Sequence, residues 1–110
     1  MNIYDIHIAY VSWGDDGKKR PVMILEQGLN GIEVFSITTK YRDKSDTVRS
    51  KYYVINDWQQ AGLSQESYID ISITITLPKS SIEHFIGTLS LDDIQGLIKF
   101  IKDFSDGGVS

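Results

Sequence analysis

Arg20 and Thr38 are the two side chains whose types and positions best suit chemistry on a phosphate. Arg20 belongs to the run KKRPVMIL (residues 18–25), where a glycine-rich segment passes into an apolar strand. A rigid strand would therefore hold its guanidinium at the rim of a sheet. Such a fork donates paired hydrogen bonds to phosphate oxygens, and a threonine hydroxyl can donate another. The pair predicts a site that binds a phosphate and stabilises charge on it.

The hairpin that contains both residues places them on one face. Residues 21–26 and 32–39 are typical of strands, and residues 27–31 supply the Gly and Asn of a turn. A five-residue connection pairs Glu26 with Ile32, Ile24 with Val34, Val22 with Ser36 and Arg20 with Thr38. Opposed Cβ atoms then lie about 4.5 to 5.5 Å apart. A two-residue Asn30-Gly31 turn would instead pair Met23 with Thr38.

Charge restricts the partners of such a site. The formal net charge is −4 over 110 residues, which argues against binding of nucleic acid over a wide surface. Any contact with RNA must therefore be local. Five cations nevertheless lie within residues 40–51, and the only acidic residues in that segment are Asp43 and Asp46. They fit either a solvated hairpin loop or a basic groove.

Composition indicates a single domain, residues 1–110, of an ordinary globular class, because 41% of residues are apolar and 24% are charged. The absence of cysteine excludes disulfides and thiolate metal sites and fits a reducing cytosol. We expect no metal and no cofactor. Residues 1–10 are unlike a signal peptide, and no apolar stretch is long enough to cross a bilayer, so we expect a cytoplasmic protein without a membrane partner.

The rest of the chain predicts a mainly β fold, a small and strongly bent barrel with one C-terminal helix. Alternation predicts strands at residues 4–10, 51–56, 68–77 and 81–87, the third being the clearest. Residues 12–19 are expected to form a mobile loop, and residues 57–62 a helical turn. Ser90 begins the helix, with Asp93 at its third position, and an apolar stripe runs from Leu91 to Phe104. Residues 105–110 are expected to fray.

Other chemistry is less well supported by the residues. His7, on the polar face of the first strand, and His84 could form a two-histidine ribonuclease site, but two exposed strand histidines are the more economical interpretation. Asp15-Asp16 and Asp92-Asp93 could ligate a metal, but turn and cap roles explain them.

A set of ordered motifs resembles the MazF/PemK family of toxins along nearly the whole chain. The motifs are Lys19-Arg20-Pro21-Val22-Met23-Ile24-Leu25, Phe35-Ser36-Ile37-Thr38, Gly62-Leu63 followed by Ser67, and Ile86-Gly87-Thr88-Leu89-Ser90. The resemblance implies an SH3-like, MazF-type β-barrel, usually dimeric, that cleaves single-stranded RNA without a metal and is blocked by an antitoxin protein.

The resemblance also implies roles for named residues. Arg20 and Thr38 would be catalytic, stabilising the phosphorane formed when a 2′-hydroxyl attacks the adjacent phosphorus and leaves a 2′,3′-cyclic phosphate and a 5′-hydroxyl. A guanidinium stays protonated in proteins, so electrostatic stabilisation is the role expected of Arg20. The RNA-binding residues expected around this pair are Lys18, Lys19, Ser36, Arg42, Lys44 and Arg49, with Trp13 stacking on a base.

Two rival functions stay open on the same barrel. One is a non-catalytic growth inhibitor of the gyrase-binding type, which would act through its C-terminal residues and keep its toxicity without Arg20. The other is an inactive interaction module, which the acidic balance of charge favours. It would bind a protein partner and leave RNA intact.

Overall fold

Seven antiparallel strands and a C-terminal helix form the fold. The computed structural model describes residues 1–107. The strands are β1 (Asp5–Trp13), β2 (Asp16–Gly28), β3 (Gly31–Thr38), β4 (Tyr52–Val54), β5 (Tyr68–Asp70), β6 (Ile75–Leu77) and β7 (Ile82–Thr88), and the helices are α1 (Asp46–Arg49) and α2 (Leu91–Gly107). The strand order is β4-β5-β3-β2-β1-β7, with β6 also paired to β3. This confirms the mainly β fold class with a C-terminal helix.

The segment expected to be a mobile loop is a tight hairpin. β1 pairs with β2 from Ile6–Met23 through Trp13–Asp16, so Gly14 and Asp15 alone make the turn. Gly14 has a φ of +57°, which a glycine adopts at no steric cost. Arg20 is therefore not at the start of its strand. It lies four residues inside β2, paired with Ala9 of β1.

The β2–β3 register agrees with the prediction near the site and differs at the turn. Val22 pairs with Ser36 and Ile24 with Val34, as expected. The register then shifts by one residue between Ile24 and Glu26, so Glu26 pairs with Glu33 and not with Ile32. A β-bulge inserts one residue into a strand, and here it leaves a two-residue turn, Leu29-Asn30.

The strand predicted over residues 68–77 is broken into β5 and β6. Both strands pair with β3 along the same edge of that strand. β5 pairs with Ile37 and Thr38, and β6 pairs with residues 32–34. Between them the Asp70 carboxylate accepts hydrogen bonds from the Ser72 N–H at 2.9 Å and the Ser72 hydroxyl at 2.5 Å. This local Asx-type turn replaces the strand hydrogen bonds that would otherwise continue from β5 to β6. Ile73, which follows the turn, is exposed to solvent.

Alternate residues of β2 and β3 belong to two different apolar clusters, one on each face of the sheet. One contains Val22, Ile24 and Val34, and the other contains Met23 and Phe35 and packs against α2 and the segment after β4. His7 is buried, contrary to the expectation of an exposed strand histidine. Its Nδ1 lies 3.2 Å from the Glu83 carbonyl oxygen, and its ring packs edge-on against Phe85, at a place where the β1–β7 register shifts.

Helix α2 is fastened to the sheet by a buried carboxylate, Asp93. Its Oδ1 accepts from the Tyr53 hydroxyl at 2.7 Å and the Asn56 N–H at 3.0 Å, and its Oδ2 accepts from the Asp57 N–H at 2.8 Å. Ser90 caps the helix by accepting from the Asp93 N–H at 3.1 Å, as predicted. The helix runs to Gly107, so residues 105–107 are helical where fraying was expected, and 108–110 lie outside the described residues.

Replacing Asp93 with alanine should lower the free energy of unfolding by about 3 kcal/mol or more, because two N–H groups and a buried hydroxyl lose their acceptor. Asp92→Ala is the matched control, since Asp92 is exposed in the same helical turn and should cost under about 1 kcal/mol. Urea unfolding of the two variants measures the difference. Equal losses would contradict the anchoring role of Asp93.

Candidate functional site

The candidate site is a cleft at the point where β2 and β3 separate. In the described chain their pairing ends at Val22 and Ser36, after which β2 continues beside β1 and β3 continues beside β5. The predicted Arg20–Thr38 strand pair is therefore not formed, because Thr38 pairs with Tyr68 on its other edge. Both residues instead line one cavity of about 460 Å³, which we call the central cleft.

Positive charge is concentrated in this cleft. Its lining includes Lys18, Lys19, Arg20, Lys40 and Lys44, which are five of the chain's 11 Lys and Arg residues, in a protein of net charge −4. Lys19 also forms an ion pair with Glu83 at 3.0 Å. Both groups are partly exposed, so this pair holds the lysine only weakly. The arrangement attracts an anion to one local site.

The cleft gathers most, though not all, of the residues predicted to act on RNA. Arg20, Thr38, Lys18, Lys19, Ser36 and Lys44 all line it. Arg42 lies in a neighbouring cavity. Arg49 is paired with Asp46 in α1, and its guanidinium carbon lies 5.8 Å from the centre of the Tyr41 ring. Trp13 ends β1, and its side chain lies outside what the structure describes.

The cleft also contains Lys40, from the cationic segment that was expected to form either a loop or a groove, and four residues that were not predicted to belong to the site, namely Thr39, Tyr52, Ser67 and Asp70. Among residues 1–107, Asp70 is the one carboxylate that lines it. Asp70 is a strand residue in a regular alternation, so nothing local marked it. Only the pairing of β5 with the end of β3 brings it to the cleft that Arg20 also lines.

Thr38 is oriented by its own turn. Its hydroxyl oxygen accepts a hydrogen bond from the Lys40 N–H at 3.1 Å. The hydroxyl proton remains available for donation, since this bond uses only a lone pair of the oxygen. Thr38 can therefore donate to an anion in the cleft.

A smaller cavity of about 340 Å³ adjoins the central cleft, and we call it the side cavity. It lies between residues 39–43 and the segment Gln65, Glu66 and Tyr68, and it shares Thr39 and Lys40 with the cleft. On the opposite flank, Arg20 and Ser36 also border a cavity of about 420 Å³ beside Val11 and Ile75. Within residues 1–107 no cluster of three or more His, Asp or Glu side chains could hold a metal.

No helix in the described chain has the length and apolar character needed to cross a membrane.

No family model matches the sequence, and no curated protein matches it significantly. Solved structures do match. Mycobacterium tuberculosis toxin MazF-mt6 is 28% identical with a TM-score of 0.69, covering 93% of this chain and 96% of its own. A second structure, described as an Mtb toxin, is 26% identical with a TM-score of 0.64, covering 90% and 97%.

These two structures are described as toxins and match this chain over nearly their whole length, which supports the toxin of a toxin–antitoxin pair as the class of protein. The likeness in sequence and fold supports a MazF-type toxin family for this chain. This confirms the resemblance drawn from the ordered motifs.

The titration of Tyr52 tests the electrostatics of the cleft. Burial, and secondly the negative charge of Asp70, raise the pKa of Tyr52 above its ordinary value of 10.0. Asp70→Asn should therefore lower the Tyr52 pKa, as measured by NMR of ¹³C-labelled tyrosine. Because the folded-state pKa is the higher one, the stability linked to Tyr52 is complete below pH 10 and is lost as pH rises through that pKa.

Tyr53 is the internal reference for this titration, because its pKa is raised first by burial and then by hydrogen bonding to Asp93. Asp70→Asn should leave the titration of Tyr53 unchanged. An unaltered Tyr52 titration in that variant would show that Asp70 does not act on the tyrosine in solution.

Proposed function

We propose that the protein is a metal-independent endoribonuclease of single-stranded RNA that inhibits growth from the cytoplasm and is blocked by an antitoxin. One observation carries the proposal. Arg20, inside β2, and Thr38, at the end of β3, line a single cleft that contains five cations and one carboxylate. A cation-lined cleft with one basic oxygen suits transfer of a phosphoryl group between two oxygens of its own substrate.

Arg20 and Thr38 stabilise the phosphorane. The guanidinium donates to the non-bridging oxygens as their negative charge grows, and the Thr38 hydroxyl donates a further hydrogen bond. Lys18, Lys19, Lys40 and Lys44 bind the flanking phosphates.

Asp70 supplies the proton acceptor that an arginine cannot provide. Its carboxylate accepts the proton of the 2′-hydroxyl as that oxygen bonds to the adjacent phosphorus. The bond from phosphorus to the 5′-oxygen breaks, and the departing oxygen takes a proton from solvent in the open cleft. The products are a 2′,3′-cyclic phosphate and a 5′-hydroxyl. DNA, which lacks the 2′-hydroxyl, is inert.

Cleavage assays in EDTA test these roles. Arg20→Ala, Thr38→Val and Asp70→Asn should each reduce the rate of cutting of a long single-stranded RNA by about 100-fold or more, since each removes a group that acts on the transition state. Lys99→Ala on α2 and Thr74→Val in the β5–β6 connection are controls that should cut at the wild-type rate, because both residues are exposed and away from the cleft lining.

Intact RNA with wild-type protein, or cutting that survives both Arg20→Ala and Thr38→Val, would contradict the nuclease assignment. Toxicity that persists in Arg20→Ala cells would favour the non-catalytic inhibitor instead.

We also propose that the protein acts as a homodimer. Leu91 and Ile98 of α2 are 69% and 52% exposed and lie seven residues apart on one side of the helix, so an apolar patch lies uncovered on the single chain. Covering it would stabilise the pair of chains by the hydrophobic effect. Sedimentation equilibrium should give a dimer for the wild type and a monomer for Ile98→Lys. A wild-type monomer at micromolar concentration would contradict this arrangement.

A further inference from the structure

The side cavity differs in chemistry from the central cleft that it adjoins. Its lining includes two carboxylates, Asp43 and Glu66, together with Lys40 and Arg42. A phosphate would be repelled by the carboxylates, whereas an uncharged group with both donors and acceptors would find partners of each kind. The cavity therefore suits the edge of a nucleobase better than the backbone.

One wall of the side cavity is a fixed aromatic ring. Tyr41 stacks on Tyr68 with ring centres 4.3 Å apart and planes 13° from parallel. Tyr68 is itself buried and paired in register with Thr38, so the stack is anchored to the strand that carries the hydroxyl of the cleft. The Arg49 guanidinium carbon also lies over the Tyr41 ring, 5.8 Å from its centre, so this ring is held from more than one side and forms a rigid wall of the cavity.

The part of the lining that contains Gln65 and Glu66 is also held in place. The Ser67 hydroxyl donates to the Gln65 carbonyl oxygen at 2.9 Å, and Ser67 is buried. This turn holds Glu66 between two residues that are joined by a hydrogen bond, just before β5 begins at Tyr68. Glu66 is exposed in the protein without RNA, so its carboxylate is open to a ligand.

Guanine complements these groups better than the other bases do. Its N1–H and N2 amino group form two adjacent donors, which a single carboxylate accepts together, while its O6 and N7 accept from Lys or Arg. Uracil offers only one N–H donor. Thr39 and Lys40 border both cavities, so a strand with a phosphate in the central cleft can place a neighbouring base in the side cavity.

We propose that the side cavity binds a guanine of the RNA beside the cleaved linkage, with Glu66 accepting from its N1–H and N2 amino group and the Tyr41–Tyr68 stack forming a rigid wall beside the base. This inference rests on the proposed ribonuclease function and adds a specificity-determining residue to it. Lys40 and Arg42 supply the donors for the acceptor edge of the base.

Binding of RNA that cannot be cut tests this subsite separately from catalysis. Three 2′-O-methyl nonamers are compared by fluorescence polarisation: all uridine, uridine with one central guanosine, and uridine with one central inosine, which lacks the N2 amino group. Wild-type protein should bind the guanosine nonamer about tenfold more tightly than the other two. In Glu66→Gln the difference should fall to about twofold or less, because the amide presents a single acceptor oxygen.

Glu26→Gln is the matched control, because Glu26 is an exposed strand glutamate on the far hairpin and should keep the tenfold preference. Equal binding of the three nonamers by wild-type protein, or a guanosine preference that survives in Glu66→Gln, would overturn the subsite. RNA cleavage without guanosine preference would remove the subsite alone. Guanosine-dependent binding by a protein that cuts no RNA would support the subsite and overturn the nuclease function.

Discussion

Strand β3 cannot pair along its whole length with β2, and this constraint creates the cleft. Its first six residues pair with β2, while Ile37 and Thr38 pair through the other edge with β5. β2 meanwhile stays with β1 through Arg20. The two strands diverge at the place where their arginine and threonine would otherwise meet. Beyond this point β2 satisfies its backbone hydrogen bonds with β1, and β3 satisfies its own with β5. A cavity therefore remains between β2 and β3.

Local charge matters more than the total charge for this site. Five of 11 cations line the cleft, although the chain carries a net charge of −4. Outside the cleft, 14 Asp and Glu residues outnumber six Lys and Arg residues, which reduces non-specific attachment to nucleic acid, while the cleft keeps a field that an RNA phosphate can sense at short range. The acidic composition is therefore compatible with an RNA substrate.

Alternation and helix-capping chemistry predicted the strand pairs near the cleft and the start of α2 because they act between near neighbours. The Val22–Ser36 and Ile24–Val34 pairs follow from the hairpin pattern, and Ser90 caps α2 as its spacing indicates. The bulge after Ile24 was not predictable, since a one-residue insertion leaves the apolar pattern almost intact. The burial of His7 likewise depends on a register shift between β1 and β7.

The candidate site was predictable only in part, for a related reason. Arg20, Thr38 and the lysines beside them lie on one hairpin or near it, so sequence spacing placed them together. Asp70 and Tyr52 come from strands that are distant in sequence, and the long alternation of residues 68–77 concealed the break that Asp70 makes. Whether two such strands meet depends on tertiary pairing, which no local pattern encodes.

The double use of Asp70 restricts how this toxin can change over generations. The same carboxylate that lines the cleft also holds Ser72 and so sets where β5 ends. A lineage that altered this side chain to retune the reaction would at once disturb the strand that positions Tyr68 beside Thr38. Under the proposed mechanism, chemistry and scaffold are inherited together at this position, and drift should be freer along the rim, where lysines and arginines can replace one another without moving the backbone.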